Sequence, residues 1–414
     1  MKAWGAWPTI LGLAIKNLGR ARARTWTTIL AMALAGGVMI FYASLLNGWL
    51  AAMERNAVSM ELGEFQLSAP GYRDDPDLYT IIPQPEQTLA HLRAAGFAAA
   101  PRLYASGLAA AGSSSAGVQL RGVDLTGEPE VTLLHRHVMT GAWLAEDDPD
   151  GVVIGRKLAR TLGVEVGGEL VVVAQAADGS TANRLYRVRG VLRSVSDGVD
   201  RSALLLGGNA FRQLMGLPEG VQLIVARRLA TGEPLQQAGQ RLTALLPGLE
   251  IRDWRQLQPV LARLLDLTDV SLVIMLLITY VAVAILTLNA MLMSVFERIP
   301  EFGVMKALGL SPGALFGLIA CESLAQVSIA ALLAVAGGLP PALYCTTHPL
   351  DLSGLVSTSS TIAGIAIEAK WYCVVTPMSV ITPLAVLYLM AGLAILYPAA
   401  KAALIRPVAA IHHR

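Results

Sequence analysis

The sequence predicts an α-helical membrane protein with four transmembrane helices plus a large α+β domain between helices 1 and 2. Three observations carry that prediction. Charged residues make up only 15% of the 414-residue chain and apolar ones 54%, above the roughly 45–50% apolar content of soluble proteins. Four stretches reach the length of about 20 apolar residues that spans a hydrocarbon core. Between the first two of them, residues 51–266 have the mixed composition of a water-soluble domain.

The chain opens with a basic segment, 1–25, that holds Lys2, Lys16, Arg20, Arg22 and Arg24 and no acid. It reads as an amphipathic helix on the inner leaflet. Lys16, Arg20, Arg22 and Arg24 would anchor it to anionic lipid headgroups, each contributing about 1 kcal/mol. With a formal net charge of +2, nothing points to nucleic acid as a partner. Span one, 26–50, carries no charge. It exceeds the roughly 7–15 apolar residues of a signal peptide and lacks a small-residue cleavage site, so it reads as a retained anchor.

Within 51–266, MELGEFQLSAPGY alternates like a strand and turns at Pro70-Gly71. Pro85–Ala95 reads as an amphipathic helix, GVQLRGVDL and Gly151–Ile154 as strands, and Arg156–Leu162 as a helix stopped by Gly163. Glu169–Gln175 and Arg184–Arg193 form the arms of a hairpin, Ser202–Leu206 is a strand, and Asn209 is placed to cap a helix over Ala210–Met215. A strand at Val221–Arg227, a helix at Glu233–Leu246, a short strand at Leu249–Ile251 and a helix from Trp254 complete an α+β pattern.

Span two, 268–296, is uncharged from Val270 onward. A short charged segment, 297–311, follows, with Glu297, Arg298, Glu301 and Lys306, before Pro312 and Gly313 open span three, 312–344. A loop, 345–370, leads to span four, 371–400, where Pro377 and Pro383 would kink the helix or delay its start. Pro398 is placed to end that span at the interface, and a basic tail, 401–414, closes the chain. Lys and Arg concentrate before span one, in 297–311 and in the tail, which puts both termini and 297–311 in the cytoplasm. The 51–266 domain and the 345–370 loop then lie outside, since long domains translocate largely regardless of charge.

Few residues offer chemistry. The phosphate-binding string G-x-x-x-x-G-K-[ST] is absent, as are G-x-S-x-G and H-E-x-x-H. The chain is therefore not expected to be an enzyme by itself, nor to bind a cofactor. His135 and His137 would share a strand face if extended, but lack a third ligand, so no metal site is expected. Cys321 reads as a packed thiol, whereas Cys345 and Cys373 flank the 345–370 loop and could pair in an oxidising compartment. Closing that loop would contribute roughly 3 kcal/mol. Glu322 sits ~15 Å into span three by helical rise. A carboxylate at that depth needs a partner. It is either a node that transmits motion from 297–311 or a group reaching back to Arg20 or Arg24, and the two readings are compatible.

The string NAMLMSVFERIPEFGVMKALGLSPGALFGLIACESLA, from Asn289, resembles the cytoplasmic coupling loop of the FtsX/MacB/LolC–LolE superfamily of ABC-transporter permeases, whose members carry a similar "ER..E.G.MKALG.S" pattern. The tail YPAAKAALIRPVAAIHHR and the order VVIGRKLARTLGVEVGGELVVV…YRVRGVLRS…ALLLGGNAFRQLMG are similar to the same group. The resemblance implies a type VII permease without a fused ATPase domain, multi-pass in the bacterial inner membrane. Glu297, Arg298, Glu301, Gly303, Lys306 and Gly309 would then contact a LolD/MacB-type ATPase, two copies of which bind ATP and magnesium and work with a second permease copy or paralogue. The outer domain would have a middle subdomain between porter-like ends, 51–105 and 200–266. The turn around Ala176–Asn183 is shorter than the hook by which LolC-type subunits recruit a periplasmic chaperone, so a LolE-like or MacB-like role fits better. The function implied is mechanotransmission, extracting or exporting a lipidated or amphipathic cargo such as a lipoprotein. Peptide or drug efflux with a periplasmic adaptor, or FtsX-like signalling to a periplasmic hydrolase, are the alternatives.

Overall fold

The computed structural model describes residues 22–217, 219–230, 232–352, 361–362, 365–366 and 370–404. Lys16 and Arg20 lie outside them, as do most of the 345–370 loop and the tail beyond Leu404; Arg22 and Arg24 are described by their backbone alone. The chain divides into two units. One comprises the membrane helices, and the other runs from Ala52 to Leu264.

Helix α1 (Arg22–Ala57) runs past the expected end of span one at Leu50. No proline or glycine in AAMERNA stops it. It continues into a π-helical turn, Val58–Leu62, which ends at Gly63 with φ +67°. Only glycine suits that position, because an added Cβ would also overlap the Val225 side chain.

The second unit is built on strands β1 (Phe65–Ser68), β2 (Phe97–Ala111), β3 (Ser114–Val123), β4 (Val138–Gly141), β5 (Gly151–Ile154), β6 (Glu169–Gln175), β7 (Thr181–Leu192), β8 (Ala203–Gly207), β9 (Leu223–Arg228) and β10 (Glu250–Asp253). Helices α2 (Pro85–Ala94), α3 (Glu128–Val131), α4 (Arg156–Leu162), α5 (Asp197–Ser202), α6 (Gly208–Met215), α7 (Leu235–Leu245) and α8 (Trp254–Leu257) connect them. The strands form one sheet in the order β10-β1-β9-β2-β3-β8-β5-β7-β4, with β6 paired to β2 and β7. Strands β1, β9 and β10, from the two ends of the insert, thus occupy one side, and β4, β5 and β7, from its middle, the other, joined there by β8, within a single sheet.

Side-chain alternation sorts two cores onto the two faces. Val152, Ile154, Leu204 and Leu206 enter one core with Phe97 and Phe211, while Val153 and Leu205 enter another with Met60 and Leu144. Strands β5 and β8 are buried at nearly every position, which explains their continuous apolar runs. Across the second core side lies a buried ion pair. Arg102 Nε donates to Glu128 Oε2 at 3.0 Å and Arg102 Nη2 to Glu128 Oε1 at 2.5 Å, with Thr132 Oγ1 donating to the same carboxylate. Burial pushes the Glu128 carboxyl up, but the Arg102 charge and these hydrogen bonds outweigh it and hold it below its ordinary value.

Several expectations are corrected here. The MELGEFQLSAPGY strand shrinks to Phe65–Ser68, buried at all four positions because it lies between β9 and β10. His135 and His137 lie in a 3-10 turn, Leu134–His137, rather than on an extended strand, and among the described residues no cluster suits a metal ion. Gly207, not Asn209, stands at the N-cap of α6. The second hairpin arm starts at Thr181 rather than Arg184; the turn before it is short, as expected, with Asp178 Oδ1 accepting from the Ser180 amide and hydroxyl and Gly179 at φ +83°.

The remaining helices are α9 (Pro259–Glu297), α10 (Ile299–Ala307), α11 (Pro312–Thr347) and α12 (Pro377–Leu404). Among the described residues, four helices, α1, α9, α11 and α12, are long and apolar enough to cross a membrane. The helix from Trp254 stops at Leu257 and α9 restarts at Pro259, since the residue before a proline avoids the helical region. Asp253 and Gln256 close a capping box on α8. Span four begins at Pro377 rather than residue 371, where Thr376 and Ser379 exchange backbone-to-hydroxyl bonds of 3.1 and 3.2 Å. Pro398 does not end α12, which continues to Leu404.

Small residues let α1 and α11 approach closely. A Cβ on Gly338 would overlap the Gly37 carbonyl and lie 2.7 Å from Gly37 Cα. About two turns further along α1, Ser44 accepts the Val374 amide on its carbonyl at 2.9 Å and Asn47 Nδ2 donates to Thr376 Oγ1 at 3.3 Å.

Candidate functional site

The segment joining α9 to α11 is a short helix held between two caps. The backbone turns at Arg298, and Pro300 sits in the first turn of α10, where its missing N–H leaves no bond unmade. At the other end Gly309 takes φ +98°, its amide donating to the Lys306 carbonyl and that of Leu310 to Met305, both at 3.0 Å. Ser311 Oγ then accepts the Ala314 amide at 3.2 Å to start α11. A bend, a nine-residue helix and a left-handed glycine make the segment rigid and compact.

Its inner face is apolar. Ile299, Phe302 and Gly303 are buried, and Phe302 packs with Val295, Leu315, Leu318, Ile395 and Ala399. Two cations tie the segment down. Arg298 Nη1 meets Glu322 Oε2 at 2.9 Å, between side chains only 17% and 10% exposed. The same guanidinium reaches Glu301 at 3.5 Å and lies 5.1 Å from the Phe302 ring centroid. Lys306 Nζ donates to the Ala403 carbonyl at 2.8 Å, and Lys401 Nζ sits 4.5 Å from the Phe296 ring centroid.

The structure therefore sorts the expected contact residues. Arg298 and Lys306 are half-buried and turned toward α11 and α12, and Gly303 is buried, so these three hold the segment rather than present it. Glu297, Glu301 and Gly309 are exposed. Glu322 finds its partner in Arg298, from the segment itself. Arg20, one partner considered for it, lies outside the described residues, and Arg24 is described by its backbone alone. Sequence reasoning missed Val304 and Leu308, which are 50% and 84% exposed. The signal was in the helical period: Glu301, Val304 and Leu308 recur at spacings of three and four, opposite the buried residues.

The pairing considered for Cys345 and Cys373 is not formed. Both are free thiols and both are buried rather than exposed, with the Cys373 amide donating to the Cys345 carbonyl at 3.3 Å. Lys16 and Arg20 of the basic anchor lie outside the described residues, and the Arg22 and Arg24 side chains are not described.

Residues 25–245 match the family model of the MacB-like periplasmic core domain, and residues 273–407 that of the FtsX-like permease C-terminal domain. The chain belongs to the FtsX/MacB superfamily of ABC-transporter permeases. Among solved structures, this permease is similar to the periplasmic region of MacB from Actinobacillus actinomycetemcomitans, at 14% identity over 50% of this chain and 95% of that one with a TM-score of 0.35. It is also similar to the extracellular domain of the ABC-type transporter YknZ from Gram-positive bacteria, at 13% identity over 46% and 99% with a TM-score of 0.33. A domain of a permease protein from Porphyromonas gingivalis gives 13% identity over 45% and 85% with a TM-score of 0.27. Among curated proteins there is no match. Members of this family are permease subunits of ABC transporters, and the family implies a partnering ABC ATPase.

Proposed function

We propose that this permease sits in a bacterial inner membrane with both termini in the cytoplasm and converts ATP hydrolysis on a separate ATPase into motion of its large α+β unit. Two permeases, identical or paralogous, would work with two ATPase copies that carry ATP and magnesium. The cargo would be lipidated or amphipathic, such as a lipoprotein, taken from the outer leaflet. One observation carries this reading: α10 is anchored by Arg298 and Lys306 on its inner side and presents Glu301, Val304 and Leu308 on its outer side. A short helix with an exposed aliphatic pair beside acids suits a groove with an apolar floor and a basic rim. Rigid anchoring means that a push on that face moves α11 and α12 rather than being absorbed in a loop.

The test is co-expression with a LolD/MacB-type ATPase from the same source. Val304→Asp with Leu308→Asp should abolish co-purification and permease-stimulated ATP hydrolysis while leaving the permease monodisperse. Lys306→Met should weaken stimulation more than binding. Unchanged stimulation by the double aspartate variant would sink the assignment of this face. A lipid or lipoprotein recovered with the purified complex and identified by mass spectrometry tests the cargo.

A further inference from the structure

The two edges of the ten-stranded sheet differ in chemistry. At one edge, β10 reads Glu250-Ile251-Arg252-Asp253, a charged strand of the kind that discourages further pairing. At the other, β4 reads Val138-Met139-Thr140-Gly141, with neither a charge nor a proline and with Met139, Thr140 and Gly141 exposed. Its protections are its shortness, four residues, and a register shift between Val138 and Thr140 that leaves only Thr140 and Gly141 in regular step with β7. Such an edge is a template for an added strand.

A pocket of about 550 Å³ opens beside β4, lined by Met139, Thr140, Arg156, Arg160, Val164 and Val166, with Glu165 also on its wall. Arg156 and Arg160 stand one turn apart on α4 and so face the same way. Among the described residues neither is held in an ion pair, whereas Lys157 between them is bound to Asp197. The Arg156 Nε is buried and meets no acceptor, an unfavourable state that a ligand oxygen would relieve. Met139 is 45% and Val166 43% exposed at the rim. Two arginines against one glutamate leave the pocket cationic, with an apolar lip.

We propose that this corner docks an extended acidic segment of a partner protein. The segment adds a strand to β4, sets a carboxylate between Arg156 and Arg160, and lays an aliphatic side chain over Met139 and Val166. An anionic lipid would use the arginines but would have no use for the open strand edge, which is why a peptide is the better occupant. Main-chain pairing supplies affinity in such complexes and alternate side chains supply specificity.

The experiment uses the full chain in neutral detergent micelles and a short fluorescein-labelled peptide of repeating Asp-Thr-Val-Thr, which puts Asp and Val on one strand face, read by fluorescence anisotropy. Saturable binding is expected, weakening as salt is raised. Three comparisons should each lower affinity by about ten-fold or more, ~1.4 kcal/mol: Arg156→Gln with Arg160→Gln, the same peptide with Asn for Asp, and the same peptide N-methylated at alternate residues. The two altered peptides act on the unaltered protein, so a folding defect in the variant cannot mimic the result. Absent binding, or equal binding by the Asn or N-methylated peptide, overturns the proposal. So does a double variant that loses retained phosphatidylglycerol while its peptide binding is unchanged, which would make the pocket a lipid site.

Discussion

Replacing Arg298 by leucine would strand the Glu322 carboxylate, whose side chain is only 10% exposed, without the guanidinium now 2.9 Å away. At an effective dielectric constant of about 20, the Coulomb attraction at this distance is ~6 kcal/mol. Most of that is offset by the cost of removing both charges from water, so the intact pair contributes little net stability. The loss on removing one partner is larger, about 3–5 kcal/mol for a buried pair, because the other charge remains. Arg298 keeps 17% of its side chain exposed and Glu322 some contact with solvent, so we expect ~2–4 kcal/mol for Arg298→Leu. Arg298→Leu with Glu322→Leu should recover at least ~2 kcal/mol of the sum of the single losses. The assay is a four-protein mutant cycle in denaturant, with the permease in detergent micelles and unfolding followed by tryptophan fluorescence. Single effects that add to within about 0.5 kcal/mol would refute the pair as an energetic link between the α9–α10 bend and α11.

Gly338→Ala should force α1 and α11 apart, since the new Cβ meets the Gly37 backbone, and cost about 1–3 kcal/mol. Gly337→Ala, with nothing within 4 Å, should be neutral or slightly stabilising, and thermal unfolding of the two variants in micelles compares them directly. In the α+β unit, Glu128 has its folded value held below the ordinary 4.5, so its contribution is complete above that pH and is lost as the pH falls through the lowered value. Acid unfolding monitored by circular dichroism should therefore set in only as the pH falls below the ordinary carboxylate range, and Glu128→Gln should lower stability at neutral pH while flattening the acid slope. Finally, Cys345 and Cys373 should resist a polar maleimide in the native protein and take it up after denaturation. A mass shift showing neither labelled after denaturation without reductant would instead mean that they are bonded.

The membrane half of the fold was legible because an apolar run long enough to span a bilayer has few other uses, and because Pro312, Ser311 and Gly309 mark their own helix boundaries. Pro377 and Pro398 show the limit. Both can begin, kink or end a helix, and only the Thr376–Ser379 cap and the continuation to Leu404 reveal which they do. In the α+β unit, β5, β7 and β8 were readable from their patterning, but β2 was not. Its sequence FAAAPRLYASGLAAA is rich in alanine and contains Pro101, both signals against a strand. Neighbouring strands decide its state, since Pro101 sits opposite Ile224 of β9. At the coupling segment the charged residues stood out, yet which face each took depended on Glu322, 24 positions along the chain. Val304 and Leu308, exposed on its outer face, were marked only by their helical spacing from Glu301.

Strand β2 pairs with β9 along Phe97–Arg102, with β3 along Arg102–Ala111 and with β6 along Gly107–Ala110. Strands from both ends of the insert and from its middle therefore draw hydrogen bonds from one continuous stretch of backbone. Opening either half takes bonds from the strand they share, which couples the two, and the amides of β2 should be among the slowest of the domain to exchange with solvent.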